Sequence, residues 1–91
     1  MDYSALPGYE LIREGLRDLE QGRLTTSGLL AAIGAERLRR IGLDVPDAKI
    51  ADPEHELYML LARDDPDSAH SRYNAMVRQL VSFERAAECA A

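Results

Sequence analysis

The chain has 91 residues, of which 46% are hydrophobic and 30% charged, with a net charge of −5 and a single cysteine. That length supports one domain, 1–91, and the balance of apolar and charged residues excludes a disordered or fibrous chain. The negative charge argues against nonspecific binding to nucleic acid or to an anionic membrane, since both need a positive field.

Cys89 stands alone, so neither a disulfide framework nor a cysteine metal site is available within one chain. No apolar run approaches the ~20 residues of a membrane-spanning helix. The acidic start MDYSALPGYE lacks the basic and apolar regions of a signal peptide. The expectation is a cytoplasmic chain beginning at Met1. A domain this small leaves much of its surface in water, so a protein partner or a second copy, as a homodimer, adds useful burial.

Residues 1–6 read as a short lead-in, and Pro7-Gly8 opens the first helix. Tyr9, Ile12, Leu16 and Leu19 recur at heptad-like steps, while Glu10, Arg13, Glu14, Arg17, Asp18 and Glu20 fill the wet sides. Gly15 is unfavourable inside a helix and signals either tolerance or a close neighbour. Gly22 ends the helix.

Thr25, Thr26 and Ser27 offer capping hydroxyls for a second helix. Leu30, Ile33, Leu38 and Ile41 share a face if it runs through Gly34, and Ala31 and Ala35 form a small-residue strip. The alternative is two short helices meeting at Gly34. Gly42 is the stop. Residues 43–51 have no helical period and carry Pro46 in their middle, so they form an extended connection with Val45 and Ile50 as inward anchors.

The third helix opens at Asp52-Pro53-Glu54, with Leu57, Leu60 and Leu61 as its apolar face. Asp65-Pro66-Asp67 repeats this opening for the last and longest helix. Ala69, Tyr73, Met76, Leu80, Phe83 and Ala87 draw one apolar seam along it, widened by Val77 and Val81. The expected fold is all-α: a compact bundle of about four helices near 7–21, 26–41, 53–64 and 66–88, with the long C-terminal helix central.

Three clusters bear on function. Arg63, His70, Arg72, Tyr73 and Asn74 gather at the Pro66 corner, where His70 and Asn74 are one helical turn apart. An imidazole there serves as acid or base near neutral pH, and an arginine holds an anion. The structural alternative is a rim histidine and an arginine paired with Asp64, Asp65 and Asp67. Glu54, His55 and Glu56 are consecutive, and consecutive helical residues point ~100° apart, so they make an acidic first turn and not a metal site. Arg37, Arg39 and Arg40 end the second helix and suit its dipole. They also invite a helix-turn-helix DNA-binding reading, against which stand the acidic total and the few side chains able to read bases.

Arg63 and His70 enclose six residues, and this spacing resembles the Arg-(four to six residues)-His motif of the HEPN family of helical-bundle ribonucleases and toxins. Asp64, a polar residue after the arginine, keeps to the pattern, while Pro66 interrupts it. The resemblance covers eight residues and implies RNA cleavage, with Arg63 and His70 catalytic in a groove formed by a dimer. Tyr73 and Asn74 complete that candidate set.

The first expectation is a different class: a small soluble non-catalytic interaction or accessory module. Its contact surface is the Ala31/Ala35 strip or the flank of the last helix bearing Arg72, Arg78 and Arg85. No cofactor is implied.

Overall fold

The computed structural model describes residues 2–90 and contains, among them, helices and no strand. The order is α1 Tyr9–Glu20, α2 Thr26–Ile33, α3 Ala35–Arg40, α4 Pro53–Asp64 and α5 Ala69–Ala90. The all-α expectation holds, with the second expected helix divided in two.

The amphipathic pattern of α1 places Ile12 and Leu19 in the core and leaves Tyr9, Leu11 and Leu16 half-buried beside them. The lead-in is more than a lead-in. Tyr3 is buried, its hydroxyl donates to the Ile41 carbonyl at 2.7 Å, and its ring meets Phe83 edge-on at 6.0 Å. Tyr9 approaches the same ring at 6.4 Å, so Phe83 of α5 is held between two tyrosines from the start of the chain.

Thr25 caps α2 by accepting from the Gly28 amide at 3.0 Å. The break after Ile33 falls at Gly34. A Cβ on Gly34 would lie 2.8 Å from Leu80 Cδ1 and 2.9 Å from Glu84 Oε2, so the junction of α2 and α3 seats against α5 only with glycine there. Gly42 follows α3 at φ 96, a left-handed stop that a side chain would resist. Residues 43–52 then run without regular structure, pinned by the buried Val45 and half-buried Ile50. Arg39 donates twice to the Val45 carbonyl, at 2.8 and 3.2 Å, which fixes the loop against α3.

Asp52 caps α4 by accepting from the His55 amide, and Leu57 and Leu61 are its buried pair. The last helix starts one turn later than expected. Residues 66–68 form a turn, with the Asp67 amide bonded to the Asp65 carboxylate and the Ser68 amide to the Asp65 carbonyl, and α5 proper begins at Ala69. An aspartate that bonds the backbone two residues on favours such a turn over an immediate helix.

The most enclosed element is α2, which packs against α1, α4 and α5 and buries Leu29, Leu30 and Ala31 in succession. The long α5 crosses this core with Leu80, Phe83 and Ala87 buried, while Tyr73, Met76 and Val77 are half-buried along its margin. Gly15 explains the tight seat of α1. A Cβ there would collide with the Ser27 carbonyl oxygen, so the backbones of α1 and α2 are in contact.

Candidate functional site

The richest polar arrangement lies between α3 and α5. Arg37, in the last turn of the six-residue α3, reaches across to two carboxylates one helical turn apart on α5. Its Nη1 is 3.1 Å from Glu84 Oε1, and its Nη2 and Nε donate to Glu88 at 2.7 and 3.2 Å. The two carboxylates differ in setting. Glu84 is only 3% exposed, and burial pushes its pKa up despite the Arg37 charge, with the Glu88 charge adding to the rise. Glu88 is exposed and its pKa is held down, first by the Arg37 hydrogen bond. One guanidinium thus serves a buried carboxylate and an exposed one.

Beside this clasp a groove of about 260 Å³ opens between α2–α3 and α5. Its floor is apolar, made by Ile33, Val77, Leu80 and Val81, and its rim carries Glu36 and Arg37 of α3 and Glu84 of α5. Ile33, Val77 and Val81 are half-buried. On the outer side of α5, Arg78 and Arg85 are exposed and make no ion pair among the described residues.

The corner cluster is brought together only in part. The Asn74 side-chain nitrogen lies 3.2 Å from His70 Nε2, as their one-turn spacing requires, and both residues are exposed. Tyr73 turns to the other side, half-buried, with its ring edge-on to Tyr58 at 6.0 Å. Burial, with the Glu54 and Asp52 charges, raises its phenol pKa and keeps it protonated. Asp64 is taken by Arg72 at 2.7 Å and not by Arg63. Arg63 is exposed and makes no ion pair among the described residues. Apart from Tyr73, the corner presents its polar side chains on open surface, uncovered by any other element among the described residues.

Of the residues expected at a contact surface, Ala31 is misplaced. It is 0% exposed, and its Cβ would stand 3.1 Å from one added at Gly15, so the small-residue strip admits α1 of the same chain and no outside helix. Ala35 is half-buried by a shallow hollow of about 170 Å³ lined by Pro46, Ala48, Lys49 and Ile50 of the long loop. Arg72 is engaged with Asp64, which leaves Arg78 and Arg85 as the free cations of that set.

The basic cluster of α3 is occupied internally: Arg37 by Glu84 and Glu88, Arg39 by the loop carbonyl, and Arg40 by Glu36 at 3.8 Å. Among the described residues no group of three or more His, Cys, Asp or Glu side chains is placed to hold a metal ion. Among the same residues no helix is long and apolar enough to cross a membrane.

Sequence reasoning passed over the clasp. The available signal was the spacing of Val77, Val81, Glu84 and Glu88 on one shoulder of the apolar seam, which places carboxylates where a neighbouring helix must pass. Asp18, assigned to the wet side of α1, is likewise buried. It accepts from the Thr25 hydroxyl at 2.6 Å and from Arg23 at 2.8 Å, tying the end of α1 to the cap of α2. Comparison with models of known families, with curated proteins and with solved structures finds no match for the chain.

Proposed function

We propose that this protein is a small non-catalytic interaction module that docks through the groove between α2–α3 and α5. The observation that carries the reading is the apolar floor of Ile33, Val77 and Val81, left uncovered by any other element among the described residues and bordered by ionised side chains. Two half-buried valines one helical turn apart suit the seam of a partner helix, and charged rims select which helix lies there. Val81 sits at the outer edge of this floor, so a charge there disturbs docking more than folding.

Sedimentation of Val81→Asp tests the proposal. The parent chain is expected to self-associate at micromolar concentration, and the variant to keep its helical circular dichroism and lose that association. Association unchanged by Val81→Asp sinks this groove as the docking face.

A further inference from the structure

The geometry points to a second site: the hollow between α2–α3 and the long loop binds a small organic carboxylate, an anion with a short apolar body. It shares no residue with the docking groove, so the two readings stand or fall separately.

Ala32 of α2 with Ala35 and Arg39 of α3 line one wall, and residues 46–50 of the loop line the other, joined by Pro53 at the start of α4. Ala32, Ala35, Pro46, Ile50 and Pro53 are half-buried and supply its apolar surface. Its volume, about 170 Å³, is near the ~150 Å³ of an apolar cavity that holds benzene. The occupant is therefore small, of the size of one aromatic ring with an acid group.

Two cations and one acid line the hollow, Arg39 and Lys49 against Asp47, which leaves one positive charge. Neither cation meets a carboxylate within ion-pair distance among the described residues. The Nε and Nη2 of Arg39 donate to the Val45 carbonyl, which holds the guanidinium in place without neutralising it and leaves Nη1 free to donate. A side chain already fixed loses less freedom when a ligand arrives. Asp47 is committed to the Lys49 amide at 3.0 Å.

Lys49 is held at φ 54, the one non-glycine residue with positive φ among the described residues. Glycine would adopt that backbone without strain, and strained positions concentrate at ligand sites. Lysine there adds an ammonium to the lining. A single net charge beside apolar surface selects a monoanion with an apolar body over inorganic phosphate, which has more charge and no apolar surface.

The test titrates the whole, isotopically labelled chain with benzoate at pH 7 and follows the backbone amides by NMR. Benzamide supplies the same shape without the charge, and inorganic phosphate the charge without the ring. The Ala35, Lys49 and Ile50 amides are expected to shift saturably with benzoate, and both other probes to bind at least roughly tenfold more weakly. Lys49→Gly suits the left-handed backbone and so keeps the fold. It is expected to weaken benzoate binding at least roughly tenfold, while Lys49→Arg retains it.

Hollow amides that benzoate leaves unmoved at its highest soluble concentration overturn the site. Equal affinity for benzamide, or a Lys49→Gly chain that binds benzoate as tightly as the parent, overturns the role of charge. Phosphate bound as tightly as benzoate overturns the apolar body as part of what is recognised.

Discussion

Single residues set the closest contacts of this domain. Gly15 is the sharpest, because its missing side chain lets the Ser27 carbonyl rest on α1. Replacing it with alanine adds about 1 kcal/mol of helix propensity. It also forces two backbones apart, and overpacking of this kind costs about 1–3 kcal/mol. Urea unfolding of Gly15→Ala is expected to show a net loss of stability, although most glycine-to-alanine changes inside helices are stabilising.

Asp18 is a second such residue. Its pKa is lowered, chiefly by the Thr25 hydroxyl and then by Arg23. A lowered folded pKa means stability that is complete above the unfolded value of about 3.9 and is lost as pH falls through the folded value. Asp18→Asn is therefore less stable than the parent at pH 7, and the gap narrows below about pH 4. A gap of constant size across that range removes the ionised Asp18 from the account.

Between elements, the Arg37 clasp joins the shortest helix to the longest. Glu84 titrates with the opposite sign to Asp18, because burial raises its pKa. Its contribution is fully present below the unfolded value of about 4.3 and is lost as pH rises through the folded one. Glu84→Gln has no such titration, so its stability rises relative to the parent between about pH 4 and pH 7. Chemical denaturation at the two pH values reads the difference directly. Leu80 and Glu84 of α5 also occupy the space that a side chain at Gly34 would need, so glycine is required where α2 meets α3.

For the whole molecule, the proposal of a docking module is set against the RNA-cleaving alternative at the Pro66 corner. There the side chains lie on open surface, and Arg63 and His70 are not joined by a hydrogen bond among the described residues. Purified chain is expected to leave a structured RNA intact, and His70→Ala to change neither fold nor association. Cleavage by the parent that disappears in a folded His70→Ala protein reassigns the corner as catalytic.

Periodicity and capping residues determined by themselves that this chain is helical, where α1 and α4 lie, and which side of α5 faces inward, because those features depend on neighbours within one or two turns. They also marked Gly15 as a place of either tolerance or contact. Only the tertiary structure decided between those two, seated Tyr3 on Phe83, enclosed Ala31 and Asp18, and joined Arg37 to carboxylates some fifty positions away. Burial and ion pairing of this kind are properties of which helices cross, and no local pattern in the chain encodes the angle at which α2, α3 and α5 meet.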